Sequence, residues 1–413
     1  MTEGAGAGGT VLGVIQAGGH GSRMDVLTRE RAKPALPFGG GFRLIDFPLS
    51  SLAHAGITDV WISVQYQSRT LDRHLAHGRP WDLDRSRGGL RMMPPEEGAG
   101  SAVQSGFAAG SADDLDQMRD DIEQHGAELL VVCSADHVHN VDIARVLAAH
   151  REAGAEATMV TAEVGVTEAV HHVVVQTGAD GRVTSTAEKP EHPNGGTVAA
   201  EIYVLDRRVL LGELERLRRR KHDTGADDTG LGDIALHLLP ALAARGSLLA
   251  QPISGYWKDV GRPEAYLQAH RDLLRGRIDV FSQPHRPVLS APATGLPSDV
   301  RDGATVRDSL LAPGAVVHGE VERSVLGPGV VVQAGARVVD SVLFEGIVVE
   351  SGATVHTAVL DRRVRVGRDS TVGAAPRARR LRESVVTLVG ADAVVRRGTT
   401  LDPGARMEPG STT

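Results

Sequence analysis

The sequence contains little cysteine and few aromatic residues. Its 413 residues include one Cys, three Trp, four Tyr and six Phe. Because Cys133 has no partner cysteine, the sequence excludes an internal disulfide and a cysteine-rich zinc site. With so few aromatic side chains, the cores must be built mainly from Val, Leu, Ile and Ala, which is typical of parallel sheets covered by helices.

Long apolar runs and an excess of basic residues are also missing. No stretch of about 18 uncharged apolar residues occurs, and the first ten residues lack the basic start and apolar core of a signal peptide. The 45 Lys and Arg residues against 52 Asp and Glu give a net charge of −7, which offers no general affinity for nucleic acid or an anionic membrane. We therefore expect a cytoplasmic protein that binds neither.

Glycine, in contrast, is abundant. The chain has 49 glycines in 413 residues, which is about 12% against about 7% in ordinary soluble proteins. Because 41% of the residues are hydrophobic, disorder does not explain this excess, and the glycines belong in turns that need them. A chain of this length is expected to form two or three domains.

Short apolar runs alternate with amphipathic stretches after a flexible N-terminus of residues 1–10. The segments that read as strands are 11–19, 60–65 and 128–136, and those that read as helices are 71–77 and 143–154. This alternation predicts a parallel, three-layer, Rossmann-like α/β domain over residues 11–278. Ligands bind beyond the carboxyl ends of the strands in such sheets.

A proline-rich stretch, 279–299, reads as an extended linker, and residues 300–413 beyond it repeat themselves. Four similar segments start at positions 309, 324, 341 and 358, which are 15, 17 and 17 residues apart. Close to three hexapeptides per repeat is the signature of a parallel β-helix, whereas a β-sandwich would not repeat so regularly. Because such solenoids need capping or a partner, we expect an oligomer.

A glycine-rich turn follows the first strand, in the sequence AGGHGSRMDVLTRERAKP (17–34). Such a turn presents backbone N–H groups to phosphate oxygens, and Arg23 and Lys33 add two cations. It is neither a Walker loop nor a dinucleotide fingerprint, since no Gly-Lys-Ser/Thr follows and Met24 stands where the third glycine belongs. Spacing alone leaves a phosphate site and a plain tight turn equally open.

Two aspartates follow short apolar segments, Asp136 after residues 128–135 and Asp259 in YWKDVG. Together they could hold one Mg²⁺, which prefers carboxylate oxygens and substrate phosphates. Taken singly, each fits a helix cap or turn residue better. Lys189, in AEKP, taken alone reads as a solvated lysine before a proline turn.

The order of these motifs resembles that of the sugar nucleotidyltransferases, most closely the ADP-glucose pyrophosphorylase (glucose-1-phosphate adenylyltransferase) family. The motifs that carry the resemblance are GGxGSR, RAKPALPFGG, FRLIDFPLSSLAHAGI, QYQSRTLDRHL, ADH, EKP and YWKDVG. It covers nearly the whole chain, and it implies that the second domain is a left-handed parallel β-helix of hexapeptide repeats. The segment 378–389 also resembles the family's closing segment.

The resemblance implies that ATP and glucose 1-phosphate react with Mg²⁺ to give ADP-glucose and pyrophosphate for glycogen synthesis. It also implies a homotetramer and a sugar-phosphate or other anionic effector. In this reading Asp136 and Asp259 hold the metal. The implied site residues are Arg23, Lys33, Asp136 and Asp259 for catalysis, Ala17, Gly18, Gly19, Gly21, Glu96 and Gly100 for the nucleotide, and Glu188, Lys189 and Glu201 for the sugar phosphate.

Several positions depart from the family's pattern. The usual W-Y-x-G-T-A-D-A segment is aligned with EGAGSAVQS (97–105). The departures are Glu96 for a Gln that contacts the base, Val103 for an Asp, Ala135 for a Gly, His171-His172 for Phe-Gly, Ala199 for a Ser and Glu201 for a Gly. Two further readings therefore stay open: an enzyme for another nucleotide or sugar 1-phosphate, and a catalytically weak regulatory or assembly paralogue.

Regulation is a separate question, because Gly41 stands where many family members place a Lys or Arg that binds an activating sugar phosphate. Basic candidates for an anion site are Arg43 and the clusters at 217–222 and 377–382. A charge run is more often a solvated face than a binding site.

Overall fold

The structure is a computed structural model that describes residues 10–19, 21–95, 107–224, 231–281, 283–292, 295–375 and 385–413. Within these ranges no helix combines the length and the apolar character that crossing a membrane requires. The chain forms an α/β unit followed by a coil of short parallel strands.

The first unit alternates strands and helices. Its strands are β1 (Val11–Gln16), β2 (Pro37–Phe38), β3 (Phe42–Arg43), β4 (Asp59–Ser63), β5 (Gly89–Met93), β6 (Leu129–Ser134), β7 (His137–His139), β8 (Ala157–Glu163), β9 (Val173–Thr177), β10 (Val183–Glu188), β11 (Thr197–Asp206), β12 (Leu248–Pro252) and β13 (Trp257–Asp259). Its α-helices are α1 (Asp46–His54), α2 (Ser68–Leu75), α3 (Ser111–Gln117), α4 (Arg119–His125), α5 (Ile143–Glu152), α6 (Val166–Ala169), α7 (Arg207–Thr224), α8 (Leu238–Ala244) and α9 (Pro263–Leu274). Short 3₁₀ helices occupy Ser22–Thr28, Lys33–Ala35 and Ala76–Trp81.

Among the described residues, nine strands form the central sheet, in the order β10-β9-β11-β6-β1-β4-β5, with β8 pairing with both β11 and β12. The strands β6, β1, β4 and β5 are parallel, as the alternating pattern predicts. The predicted parallel arrangement holds for these strands and does not extend to the rest of the sheet, because β11 runs antiparallel to β6, β8 and β9. The β9–β10 pair is joined by a short turn, which requires an antiparallel arrangement.

Helices cover both faces of the sheet, so the predicted three-layer architecture is confirmed. Along β1, Leu12 and Val14 pack into one cluster with α3, α4, α7 and α8, whereas Ile15 packs into the opposite cluster with α1, α2 and α5. Successive side chains of a strand point to opposite faces, so a continuous apolar run fills both cores.

In the part of the chain that the structure describes, the second unit is a coil of three parallel six-stranded sheets. Their strands are β14 (Asp299–Val300), β15 (Thr305–Arg307), β16 (Leu310–Leu311), β17 (Val316–Val317), β18 (Glu320–Glu322), β19 (Val325–Leu326), β20 (Val331–Val332), β21 (Arg337–Val339), β22 (Val342–Leu343), β23 (Val348–Val349), β24 (Thr354–His356), β25 (Ala358–Leu360), β26 (Arg365–Val366), β27 (Thr371–Val372), β28 (Thr387–Val389), β29 (Val394–Val395), β30 (Thr400–Leu401) and β31 (Arg406–Met407). Every third strand belongs to the same sheet. This arrangement is typical of a left-handed β-helix and confirms the predicted solenoid.

The sequence repeat and the strand register agree. Leu310 pairs with Val325, Val325 with Val342, and Val342 with Val359, so the spacings of 15, 17 and 17 residues are the three successive turns of the coil. Gly329 and Gly346 at the corners have φ of 65° and 67°, in the left-handed region that glycine adopts at least cost.

A common hydrophobic core joins the two units. Tyr266 of α9 packs in the same buried cluster as Phe344 and Val359 of the β-helix. Buried ion pairs cross the junction: Arg31 Nη2 lies 2.8 Å from Asp361 Oδ1, and Arg271 Nε donates to Asp340 Oδ1 at 2.7 Å. The α/β unit and the β-helix therefore form one packed body.

The segment predicted as a linker lies along α1. The Leu289 N–H donates to Ser50 Oγ at 2.8 Å, and His54 Nε2 donates to the Pro287 carbonyl oxygen at 2.7 Å. These bonds hold residues 283–292 against the α/β unit without regular secondary structure.

Candidate active site

A cleft of about 450 Å³ opens at the carboxyl ends of β1 and β6. The predicted site residues that line it are Ala17, Gly18, Gly19, Arg23, Lys33, Asp136, Glu188, Lys189, Glu201 and Asp259. Gly21 belongs to the turn behind this wall, with φ of 67°. Glu96, Gly100 and Val103, together with the segment 97–105, lie outside the described residues. The fold thus gathers side chains more than 200 positions apart around one volume suited to a small ligand.

The glycine-rich turn forms one wall of the cleft. A Cβ on Gly18 would lie 2.8 Å from Nε2 of Gln65, so a larger residue would displace that side chain. Gly19 has open space where its Cβ would be, and its backbone faces the cleft. The absence of side chains here lets a ligand approach the main chain closely.

Two aspartates meet because β7 and β13 pair. In that antiparallel pair Asp259 lies opposite His137, the residue that follows Asp136. Lys33 Nζ donates to Asp136 Oδ2, and the Gly261 N–H donates to Asp259 Oδ1 at 2.6 Å. A Cβ on Gly261 would lie 2.8 Å from both Asp259 Oδ1 and Lys33 Nζ, so only glycine leaves room for these two groups.

Both aspartates are ionised. Burial by itself raises the pKa of Asp136, but the Lys33 ammonium and His137 more than offset it and hold that pKa well below its usual range. Burial likewise opposes ionisation of Asp259, and Lys33 together with His137 again lowers the pKa. The Lys33 ammonium therefore already supplies positive charge to both carboxylates.

His137 and Glu201 stand beside Asp136. The His137 ring is 2% exposed, and its Nε2 lies 3.5 Å from Asp136 Oδ1 and 3.8 Å from Glu201 Oε2. Although the Glu201 side chain is open to the cleft, the desolvation of its surroundings raises the pKa of this carboxyl, and His137 opposes this only in part. For His137, burial lowers the pKa, but the facing Glu201 and Asp136 carboxylates raise it above its ordinary value.

Glu201 has an unusual backbone. Its φ is 54°, in the left-handed region, at an irregularity where the pairing of β11 with β8 shifts between Ala199 and Tyr203. A non-glycine residue there is strained by about 1 kcal/mol or more. Its side chain remains 48% exposed within the cleft. The departure from glycine that the sequence reveals thus places a carboxylate directly in the site.

Glu188 and Lys189 also line the cleft. Lys189 Nζ lies 2.7 Å from Glu188 Oε1, and the Lys189 side chain is 54% exposed. The Lys189 N–H donates to the His172 carbonyl oxygen at 2.9 Å and fixes the start of this loop. His172 itself packs edge-on against Trp257, and burial lowers its pKa to about 4. His171 and His172 both line the cleft.

The sequence reading missed a second cleft segment, Gly110 to Asp114. Its sequence is G-S-A-D-D, which has the order of the family's G-T-A-D-A motif with Ser for Thr and retains its Asp as Asp113. Gly110, Ser111 and Asp114 line the cleft. The signal that identifies this segment is a Gly-Ser-Ala pattern, which occurs in the sequence at both 100–102 and 110–112.

This segment is fixed by close contacts with residues 231–235. A Cβ on Gly110 would lie 2.3 Å from the carbonyl carbon of Gly232, so any other residue would push the two chains apart. Ser111 N donates to Asp233 Oδ1 at 3.0 Å, and Ile234 N donates to Ser111 Oγ at 2.8 Å. These hydrogen bonds therefore hold residues 110–114 and 231–235 together on one side of the cleft.

The donor set fits a hard divalent cation. Asp136 and Asp259 offer carboxylate oxygens to the cleft. In the present arrangement the Lys33 ammonium offsets their negative charge. Mg²⁺ is held in proteins by one or two carboxylates plus substrate phosphates. Asp136 and Asp259 would hold the ion, which supplies positive charge to a phosphate group.

Comparisons with known proteins agree with this geometry. Residues 12–276 match the family model described as Nucleotidyl transferase, and residues 291–394 match "GlmU-like, C-terminal hexapeptide". The glucose-1-phosphate adenylyltransferase of Halalkalibacterium halodurans is 36% identical over 79% of this chain and 84% of its own length. That of Clostridium perfringens strain 13 is 34% identical over 80% and 82%, respectively. The chain belongs to the nucleotidyltransferase family, with the glucose-1-phosphate adenylyltransferases (ADP-glucose pyrophosphorylases) among its relatives.

Proposed function

We propose that the chain forms ADP-glucose and pyrophosphate from ATP and glucose 1-phosphate, as a step of glycogen synthesis. The observation that carries the proposal is the single cleft in which the glycine turn, the two aspartates and the Glu188–Lys189 pair meet. The names of the relatives point to the same substrates. Mg²⁺ is the proposed cofactor.

The chemical step exchanges one phosphorus–oxygen bond for another. An oxygen of the sugar phosphate attacks the α-phosphorus of ATP in line, a new P–O bond forms, and the bond to the β-phosphate bridging oxygen breaks. Pyrophosphate leaves with the electron pair. Since little covalent work falls to the protein, its contribution is to position two anions that repel each other and to neutralise their charge.

Each group in the cleft has a role in this proposal. The backbone of Ala17, Gly18 and Gly19 holds the nucleotide phosphates, and Gly21 forms the turn behind it. Arg23 and Lys33 neutralise charge on the transferring group; Lys33 does so by moving from Asp136 toward the phosphate. Glu188 binds sugar hydroxyls, and Lys189, more than half exposed, takes the sugar phosphate.

The proposal extends to assembly and regulation. We infer a homotetramer held through the β-helix and regulated by an anionic effector. Arg43 is engaged internally, since its Nη1 donates to the Ala35 carbonyl oxygen at 2.7 Å, and Arg219 Nε donates to Glu215 Oε1 at 2.8 Å. An effector at either place would have to displace these bonds. The cluster at 377–382 lies outside the described residues.

Substrate identity can be tested directly. Purified protein with Mg²⁺ would be assayed for pyrophosphate release across nucleoside triphosphates crossed with sugar 1-phosphates. Turnover with ATP and glucose 1-phosphate supports the proposal. Turnover only with other pairs shows that the substrates are different, and no turnover with any pair indicates a regulatory or assembly paralogue. The Asp136→Asn variant should lose turnover; retained activity would refute the metal assignment.

Glu201 favours the second candidate, a different sugar 1-phosphate. A carboxylate near the sugar side of a cleft that must accept two polyanions adds repulsion unless the substrate or a metal compensates it. The panel should therefore include amino sugar 1-phosphates, whose ammonium group would pair with Glu201.

A further inference from the structure

Asp136 presents its two carboxylate oxygens to different surroundings. Oδ2 accepts from Lys33, whereas Oδ1 accepts from Ser134 Oγ and faces His137 and Glu201. A cation bound at Oδ1 would therefore not compete with Lys33 for the same oxygen. The Oδ1 side contains a mixed set of ligand types, two carboxylates and an imidazole.

The separations within this set are those of ligands around an ion. Ligand atoms of Asp136, His137 and Glu201 all lie within 4.8 Å of one another. The distances from His137 Nε2, 3.5 Å and 3.8 Å, are too long for good hydrogen bonds. With metal–ligand distances of about 2.1 Å, adjacent ligands of an octahedral ion lie about 3.0 Å apart. Small side-chain rotations would therefore bring the three ligand atoms to coordination distance of one ion.

The orientation of His137 is a second, independent observation. Its Nδ1 donates to the Ala200 carbonyl oxygen at 3.2 Å, so Nε2 is the nitrogen that faces the two carboxylates and would bind an ion in the neutral ring. Metal-binding histidines are typically held in this way by a backbone carbonyl. Ala200 also accepts from Trp257 Nε1 at 3.2 Å, which fixes that carbonyl.

We propose that Glu201 and His137 join Asp136 as ligands of a divalent cation in this chain, and that the site prefers Mn²⁺ to Mg²⁺. Imidazole suits transition metals, whereas Mg²⁺ binds oxygen ligands and keeps most of its water. The inference rests on the proposed function only in placing this ion beside the reacting phosphates. Metal binding itself can be measured without substrates.

The experiment titrates wild-type protein with Mn²⁺ alone, with free Mn²⁺ followed by electron paramagnetic resonance and Mg²⁺ affinity obtained by competition. Glu201→Gln keeps the size and backbone of the residue and should weaken Mn²⁺ binding at least about 10-fold, with a smaller change for Mg²⁺. The matched control is Glu191→Gln, an exposed glutamate in the loop after Lys189, which should bind as wild type. Electron spin echo modulation from ¹⁴N should show the His137 nitrogen on bound Mn²⁺.

Each outcome decides the proposal. An Mn²⁺ affinity of Glu201→Gln within two-fold of wild type overturns it, as does the absence of ¹⁴N coupling. If Glu201→Gln leaves Mn²⁺ binding intact but changes the preferred sugar 1-phosphate, Glu201 contacts the sugar and does not bind the metal, and the metal proposal fails. If ATP and glucose 1-phosphate do not react while Mn²⁺ binds as described, the metal site stands and the proposed substrates fail.

Discussion

The buried ion pair between Arg31 and Asp361 should contribute far more to stability than an exposed pair across the same junction. The side chains of Arg31 and Asp361 are 7% and 4% exposed. Asp361→Ala would leave the guanidinium buried beside the ring of Phe344 without its carboxylate. Arg31 Nη1 already lacks a hydrogen-bond partner among the described residues. Removing one member of a buried pair costs about 3–5 kcal/mol, because an uncompensated charge remains.

The junction provides a matched control. Arg29 Nη2 and Glu408 Oε1 also join the α/β unit to the β-helix, at 3.3 Å, but their side chains are 56% and 59% exposed. Water screens such a pair, so Glu408→Ala should cost at most about 0.5 kcal/mol.

Differential scanning calorimetry at pH 7 measures both variants. If the chain unfolds as one unit, an entropy of about 2.1 cal/mol/K per residue converts a loss of 4 kcal/mol into a fall in Tm of about 5 °C. The same arithmetic gives less than about 1 °C for Glu408→Ala. Equal shifts for the two variants would refute the reasoning. The double variant Arg31→Met, Asp361→Leu should recover part of the loss, since no buried charge is then unpaired.

Three further predictions concern the core, the cleft wall and the sugar side. Burial lowers the pKa of His270 to about 4; because the unfolded residue has a pKa of about 6.5, its unfolded form takes up a proton first, and stability falls by about 2 kcal/mol from pH 7 to pH 5. Urea unfolding should show a weaker pH dependence for His270→Gln, and equal slopes would contradict the assignment. Gly110→Ala forces the chain away from Gly232 and should raise the KM for ATP and lower Tm, whereas Gly165→Ala, with open space around it, should change neither. Lys189→Ala should raise the KM for the sugar phosphate much more than that for ATP, and an unchanged value would remove Lys189 from the site.

Sequence periodicity was sufficient to predict the β-helix and the first strands. A solenoid repeats one local geometry, so the spacing of Leu310, Val325 and Val342 along the chain is already its strand register. Likewise β1, β4 and β6 are continuous apolar runs whose burial on both faces follows from their composition. Both features follow from the order of residues along the chain: the repeat spacing in one case and the continuous apolar run in the other.

The antiparallel half of the sheet was not predictable in the same way. An apolar strand such as β11 has the same pattern in either direction, and only its contacts with β6 and β8 decide which one it takes. The motif at Gly110 was missed for a related reason. The contact of Gly110 with Gly232 and the place of this segment in the cleft wall exist only in the folded chain.

The sequence alone therefore determined the two-domain architecture, the family and most residues of the cleft, because motif order and periodicity are properties of the chain itself. Only the tertiary structure decided how these residues act on one another: Lys33 pairs with Asp136, His137 faces Glu201, and the two units share a core. Distance, burial and charge between residues far apart in sequence control these contacts, and they exist only once the chain has folded.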